Sequence, residues 1–158
     1  MGREILIVWA GRHQRDGWED LCLSYRRRIQ RLAPVRDLPV RARVGSEDPQ
    51  RRRAESLAVL GALPQPCFLI ALDSHGEALA SGLFAERLSR LRGEWPHAVA
   101  FVIGSDLGLD PGLLGQARWQ LSLGPLTLSH ELARVVLYEQ LYRALSIEAG
   151  MSYHREPP

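Results

Sequence analysis

Ser122-Leu123-Gly124-Pro125-Leu126-Thr127-Leu128-Ser129-His130 is an apolar, almost uncharged stretch that is interrupted by a Gly-Pro pair and leads into a strongly apolar helical pattern. A surface loop normally carries more polar side chains. A buried strand does not place Gly-Pro at its centre. The sequence therefore predicts a buried, irregular segment, whose main-chain N–H and C=O groups need hydrogen-bond partners. A bound ligand with hydrogen-bonding edges is one source of such partners.

Strand and helix patterns alternate along the chain on both sides of this segment. Apolar runs predict strands at 5–10, 35–44, 67–72, 99–103 and 119–123. Pro39 places the second strand near a sheet edge. Cap residues and helical periodicity predict helices from Asp16, from Asp48, over 83–91, from Asp110 and over 131–149. This alternation predicts an α/β fold in a single domain over 1–158, with a mostly parallel sheet and helices on both faces.

The composition excludes several classes of chemistry. All 20 basic residues are arginine and none is lysine, so P-loop, Schiff-base and pyridoxal mechanisms lack their lysine. A net charge of +2 does not indicate a strongly basic, non-specific nucleic-acid binder. Cys22 and Cys67 are expected to be buried free thiols, and no Cys or His spacing matches a metal site.

The hydropathy of the chain bears on where it resides. No apolar run approaches the length of a membrane span. The N-terminal sequence lacks the hydrophobic region of a signal peptide, which predicts a cytoplasmic location and no membrane partner.

The last predicted helix is apolar around most of its circumference, whereas an ordinary surface helix has one apolar stripe. One face can pack on the sheet, and the rest needs another cover. A second subunit would supply it, which predicts a homodimer. The alternative is a helix that is buried within its own domain.

Three predicted strand ends carry unusual loops, and ligands of open α/β sheets bind at the carboxyl ends of strands. The loops are 72–76, 104–108 and 123–130. Residues 10–13 lack the glycine pattern of a dinucleotide site. Ser105 stands one position early for a nucleophile elbow, so a hydrolase that uses Ser105 or His130 is a weaker hypothesis.

Several motifs in fixed order resemble one family. They are the loop at 72–76, the glycine loop after Ile103, the Leu-Thr-Leu-x-His run, the Leu141-Tyr142-Arg143-Ala144 helix and the Tyr153-His154-Arg155-Glu156 ending. Together they resemble the RlmH family of ribosomal RNA large-subunit methyltransferases, in the SPOUT superfamily. The resemblance implies a C-terminal trefoil knot, a homodimer, and transfer of a methyl group from S-adenosylmethionine to N3 of a pseudouridine in 23S ribosomal RNA, without a metal.

The resemblance also implies functional residues. The cofactor would be enclosed by Leu72, Gly104, Leu123, Gly124, Pro125, Leu126, Thr127 and Leu128. Pseudouridine N3 must lose a proton before it attacks, so a base or an anion-stabilising cation is required. The candidates are Tyr153, His154 and Arg155 in the tail, which the family places near the partner subunit's active site, together with His130. The modest charge suggests recognition by shape, as on an assembled ribosome.

Two departures from the family pattern concern the fine geometry of the site. Ser105, Asp106 and Leu107 interrupt the usual Gly-Gly-Pro-x-Gly, and Ser129 replaces the usual proline before the last helix. Ser129 is also a good helix cap. The alternative function is a non-catalytic RNA-binding or ribosome-binding module that keeps the fold.

Overall fold

The computed structural model describes residues 3–11, 16–41 and 48–154. Along the chain it contains β1 (Ile5–Ala10), α1 (Gly17–Ile29), β2 (Val35–Val40), α2 (Asp48–Ala62), β3 (Cys67–Ala78), α3 (Ser81–Glu94), β4 (Ala98–Ile103), α4 (Pro111–Gln116), β5 (Trp119–Ser122) and α5 (His130–Glu148). All pairings in the sheet are parallel, and the strand order is β2-β1-β4-β3-β5. The predicted α/β class with a parallel sheet is confirmed, and β2 is an edge strand as Pro39 indicated.

Helices cover both faces of the sheet. Alternate residues of β1 point to opposite sides, as the two-residue repeat of a strand requires. Ile5 and Ile7 pack in a core with α1, α3 and α5. Leu6 and Val8 pack in a second core with α2 and α4. Each of these four side chains is fully buried, which explains why the central strands are continuously apolar rather than alternating.

Two boundary predictions need correction. β3 continues to Ala78, so the predicted loop at 72–76 lies within an extended strand that shifts its register on β5 between Leu72 and Glu77. Gly76 makes this possible, because a Cβ atom there would lie 2.6 Å from the carbonyl oxygen of Gln120. β2 ends at Val40, and part of the strand predicted over 35–44 lies outside the described residues.

Three predicted N-terminal helix caps, Asp16, Asp110 and Ser129, are confirmed, and α2 begins at Asp48. Asp16 accepts a hydrogen bond from the Glu19 amide at 2.9 Å, and Asp110 accepts one from the Gly112 amide. Ser129 accepts one from the Leu132 amide, so the serine that replaces the family's proline begins α5. Gly150, just beyond α5, has φ of +72°, the left-handed conformation that favours glycine after a helix.

The last helix is covered mostly by its own chain. It packs between α1 and α3, and its side chains from Leu137 onward include six that are buried and apolar: Leu137, Tyr138, Leu141, Tyr142, Ala144 and Leu145. The alternative interpretation, burial within one domain, therefore holds for this part of α5. The one large apolar side chain of α5 that is exposed is Leu132, which lies near the N-terminal end of the helix. None of the helices in the described ranges is long and apolar enough to cross a membrane.

Both cysteines are free, as predicted, and Cys22 is fully buried. Burial raises the pKa of the Cys22 thiol to about 11, although the positive charge of Arg134 opposes the shift. Above pH 9 the thiol ionises in the unfolded chain before it ionises in the native one, so unfolding releases a proton. We expect the free energy of unfolding to fall as the pH rises from about 9 to 11.

Urea unfolding at a series of pH values, in the wild type and in Cys22→Ala, measures this contribution. The alanine variant should show a shallower decrease. Burial also raises the pKa of the half-buried Cys67 thiol, so Cys67→Ala should make the decrease shallower as well. Parallel curves for the wild type and Cys22→Ala would mean that the buried thiol is not coupled to folding.

Candidate active site

A cavity of about 740 Å³ opens at the carboxyl ends of β4 and β5, beside the middle of β3. We call it the donor cavity, after the methyl donor that the resemblance implies. Residues 72–74 of β3, the loop that follows β4 and the irregular segment between β5 and α5 form its walls. Its apolar lining consists of Leu72, Ile103, Leu107, Leu109, Leu121, Leu123, Leu126, Leu128 and Ala133. The carboxyl ends of parallel strands are where open α/β sheets bind ligands, so the position and the lining both suit a flat, largely apolar group.

The loop after β4 folds back on itself. The Gly108 amide donates to the Ser105 carbonyl at 2.9 Å, and the two residues form an isolated antiparallel bridge. A Cβ atom on Gly104 would lie 2.7 Å from the Gly108 carbonyl carbon. Gly108 itself has φ of +76°. Glycine is therefore needed at both ends of this turn, at the first for close approach and at the second for its backbone conformation.

Helix α2 anchors the same loop. The Ser105 hydroxyl donates to Glu55 at 2.7 Å, and the Arg51 guanidinium donates to both carboxylate oxygens of Asp106 at 3.0 and 3.2 Å. Two of the residues that interrupt the family's glycine-rich pattern thus make polar contacts that hold the loop. Ser105 donates to a carboxylate rather than to an imidazole, which gives no support to the hydrolase hypothesis.

The segment from Leu123 to Ser129 is irregular, as predicted, but it is not buried. Pro125, Leu126 and Thr127 are exposed, Leu126 by 77%. The prediction of a buried segment is wrong for the single chain because the segment forms a wall of an open cavity. Its Gly124 amide donates to the Ser122 hydroxyl, with φ of +125° at the glycine. Within the described part of the chain, the amides of Leu126, Thr127 and Leu128 make no main-chain hydrogen bond.

Most of the residues predicted to enclose the cofactor lie on this cavity. Seven of the eight line it: Leu72, Gly104, Leu123, Gly124, Leu126, Thr127 and Leu128. Pro125 is in the same segment but does not line the cavity. The lining combines large apolar side chains with the unpaired main-chain amides of residues 126–128. The side chains suit the flat faces of a nucleoside, and the amides suit its hydrogen-bonding edge.

His130 also lines the donor cavity, at the first position of α5. Its Nε2 lies 3.1 Å from Oε1 of Glu131, and both side chains are about 40% exposed. Of the four predicted catalytic candidates, His130 is therefore the one that the described single chain places at the cavity.

Comparison with known proteins identifies the family. Residues 3–154 match the family model described as predicted SPOUT methyltransferase. The chain is 44% identical over 154 residues to the ribosomal RNA large subunit methyltransferase H of Solidesulfovibrio magneticus, covering 96% of this chain and 99% of that protein. The protein of the same name from Nitrobacter winogradskyi is 38% identical over 157 residues, covering 96% of this chain and 98% of the relative.

The chain belongs to the SPOUT methyltransferase family. A crystal structure of a probable methyltransferase from Bordetella pertussis Tohama I has the same general fold, with a TM-score of 0.55, 17% sequence identity, and coverage of 91% of this chain and 95% of that one. The resemblance inferred from the motifs is therefore confirmed, and so is the assignment of the chain as a methyltransferase. The trefoil knot and the homodimer remain predictions.

The C-terminal tail of this methyltransferase starts on its own helix α5. The Tyr153 hydroxyl donates to Glu139 at 3.2 Å, and its ring lies edge-on to Tyr142 at a centroid distance of 4.5 Å. Burial and the Glu139 carboxylate raise the pKa of Tyr153 to about 12, so the phenol keeps its proton at neutral pH. Tyr153 is thus a hydrogen-bond donor rather than a base.

His154 does not line the donor cavity of its own chain. It is partly buried, and its Nδ1 has no hydrogen-bond partner among the residues that the structure describes. Arg155 lies outside the described residues. The described part of the chain therefore does not bring Tyr153 and His154 together with His130.

A second, smaller group of charged and aromatic residues lies beside His130 and was missed in the sequence. Arg134 of α5 contacts Glu19 at 2.8 Å and Asp37 at 3.0 Å, and Arg26 contacts the same two carboxylates. All four side chains are at most 17% exposed. The Arg134 guanidinium also lies 3.8 Å from the centroid of the Trp9 ring. These residues are far apart in sequence, so only the fold reveals the network.

Trp18 departs from the prediction most clearly. Trp18, Leu21, Cys22 and Ile29 recur at helical spacing, a pattern that predicts one buried apolar face of α1. Cys22 and Ile29 are buried, but Trp18 is 40% exposed and Leu21 is 48% exposed. The neighbouring Glu19 is buried in the ion-pair network instead, and Trp18 borders a cavity next to Gly104 and His130.

Proposed function

We propose that this methyltransferase transfers a methyl group from S-adenosylmethionine to N3 of a pseudouridine in 23S ribosomal RNA. The observation that carries the proposal is the donor cavity, whose glycine loop and apolar irregular segment lie at the carboxyl ends of the strands. The family and the name of its relatives, ribosomal RNA large subunit methyltransferase H, support the substrate class. Residence in the cytoplasm and action on the assembled ribosome belong to the same proposal.

Each wall of the donor cavity would contact a different part of the bound methyl donor. S-adenosylmethionine, when bound, supplies a methyl group on a positively charged sulfur. Leu72, Leu123, Leu126 and Leu128 would cover the adenine faces, and the amides of the 126–128 segment would bond its edge. The glycine loop at 104–108 would let the main chain approach the donor closely, because Gly104 has no side chain. The protein's contribution is mainly to align the two reactants and to exclude water.

A second subunit completes the site in the proposal. Leu126 and Leu132 are exposed apolar side chains at the cavity end of α5, and a homodimer partner would cover them. The tail of that partner would then bring His154, for proton handling, and Arg155, for contact with a phosphate or developing anion. Tyr153 would hold the start of the tail through Glu139 and Tyr142.

The function is tested by incubating the purified protein with S-adenosylmethionine and large ribosomal subunits from cells that lack the gene, followed by mass spectrometry of the 23S RNA. We expect one added methyl group on a pseudouridine, together with heat of binding for the methyl donor in calorimetry. Binding of the methyl donor without methylation of the RNA would contradict the proposal that 23S ribosomal RNA is the substrate. Absence of donor binding would instead favour the non-catalytic RNA-binding module.

The tail assignment gives a separate prediction. Removal of residues 153–158 should leave the dissociation constant of the methyl donor nearly unchanged and lower turnover by about 100-fold or more, because general acid–base groups contribute rate enhancements of this order. The point variant His154→Ala should reproduce most of the loss, whereas Tyr153→Phe, which keeps the ring packed on Tyr142, should not. Normal turnover by the shortened protein would show that the tail has no catalytic part.

A further inference from the structure

A second cavity, of about 290 Å³, lies at the carboxyl ends of β1 and β4 and is next to the donor cavity. We call it the side cavity. Its lining consists of Trp9, Ala10, Gly11, Asp16, Trp18, Ile103, Gly104, His130, Glu131 and Arg134. Four of these residues also line the donor cavity: Ile103, Gly104, His130 and Glu131. The two cavities therefore meet at the end of β4, with the His130–Glu131 pair at their boundary.

The side cavity combines an aromatic face with hydrogen-bonding groups. Trp18, in the first turn of α1, is 40% exposed although it is a large aromatic residue. Trp9 is almost fully buried, and the Arg134 guanidinium lies 3.8 Å from the centroid of its ring. Trp9 is therefore a fixed wall of the side cavity. Arg134 is in turn held by Glu19 and Asp37. The position of this wall is thus fixed by a buried ion-pair network rather than by a flexible loop.

We propose that the side cavity receives the pyrimidine base that is to be methylated, with Trp18 as the surface on which the base stacks. The inference rests on the proposed function. A methyl acceptor must come within bonding distance of the donor's methyl group, so its binding space must be contiguous with the donor cavity. The side cavity meets this requirement, and exposed aromatic rings are the usual stacking surfaces for unpaired bases.

The His130–Glu131 pair gives the side cavity a means to orient the base. His130 Nε2 lies 3.1 Å from Oε1 of Glu131, so an imidazole and a carboxylate stand side by side at the boundary between the two cavities. Either group can accept a hydrogen bond from a ring N–H. A pyrimidine whose N–H lies between two carbonyl groups would thus present this N–H edge to the donor cavity.

The proposal is tested by two substitutions of Trp18. Trp18→Ala should lower kcat/KM for methylation of large ribosomal subunits by about 10- to 100-fold, the range associated with losing one stacked base. Trp18→Phe, which keeps an aromatic face, should stay within about threefold of the wild type. Leu21→Ala, another exposed apolar residue of α1, is the matched control and should have no effect. Calorimetry should give the same donor affinity for all four proteins.

A binding measurement without turnover supplies a second readout. Pseudouridine 5′-monophosphate, added at millimolar concentration in the presence of S-adenosylhomocysteine, should quench part of the tryptophan emission of the wild type. That part should be missing in Trp18→Phe. Full activity of Trp18→Ala, or a loss of donor affinity parallel to its loss of activity, would overturn the proposal while the methyltransferase function stands. Absence of rRNA methylation by the wild type would overturn both.

Discussion

Replacement of Gly104 by valine should abolish measurable binding of S-adenosylmethionine. Even the Cβ atom of an alanine would lie 2.7 Å from the Gly108 carbonyl carbon and 2.9 Å from its Cα. Both atoms are main chain, so the loop must move. Overpacking of this kind costs about 1–3 kcal/mol, and for Gly104→Ala this corresponds to a dissociation constant about 10- to 100-fold higher. Valine adds two methyl groups in the same confined space.

Gly61→Val is the control for this experiment, because Gly61 is exposed in α2 and a Cβ atom there meets nothing within 4 Å. It should bind the donor as the wild type does. Calorimetry measures the affinity, and circular dichroism shows that both variants are folded. Unchanged donor affinity in Gly104→Val would mean that the donor does not bind against this loop.

Replacement of Arg134 by alanine should destabilise the protein by about 3–5 kcal/mol, the range measured when one partner of a buried ion pair is removed. Glu19 and Asp37 would lose a cation while they remain buried. Burial already raises the pKa of Asp37, and the positive charge of Arg134 is the main effect that opposes this shift. The contact between the guanidinium and the Trp9 ring would be lost as well.

Arg90→Ala is the matched control for the ion-pair network. Arg90 pairs with Glu86 at 3.3 Å, but both side chains are about two-thirds exposed. Its removal should cost at most about 1 kcal/mol. Urea unfolding at one fixed protein concentration measures both variants, because the stability of the proposed homodimer would depend on concentration. Equal effects of the two substitutions would show that the buried network does not contribute to stability.

The order and type of the elements could be predicted because local signals agree with the fold. Apolar runs such as residues 99–103 are continuous because cores lie on both faces of the sheet. Asp16, Asp110 and Ser129 accept the first-turn hydrogen bonds that their positions indicated. The end of β3 could not be predicted, since its continuation depends on a close approach of Gly76 to Gln120 in another strand.

The donor cavity was predictable because each of its walls is one continuous segment with its own sequence signal. The apolar, glycine-containing stretch that ends at His130 forms a wall of the donor cavity, although its exposure in the single chain was not foreseen. The side cavity escaped prediction because it combines Trp18 from α1 with Arg134 from α5. The α1 pattern also assigned Trp18 to the core, since periodicity alone does not show that Glu19 is buried by Arg26 and by Arg134 of the distant helix α5.

The central claim is that the methyl donor binds between the glycine loop at 104–108 and the segment from Leu123 to Leu128. A crystal structure of the protein with S-adenosylmethionine tests it most directly. The account predicts adenine between the leucine side chains of the donor cavity, bonded by amides of residues 126–128, with the methyl group directed toward His130 and the side cavity. A donor bound elsewhere on the chain, or a donor cavity still empty at saturating concentration, would contradict it.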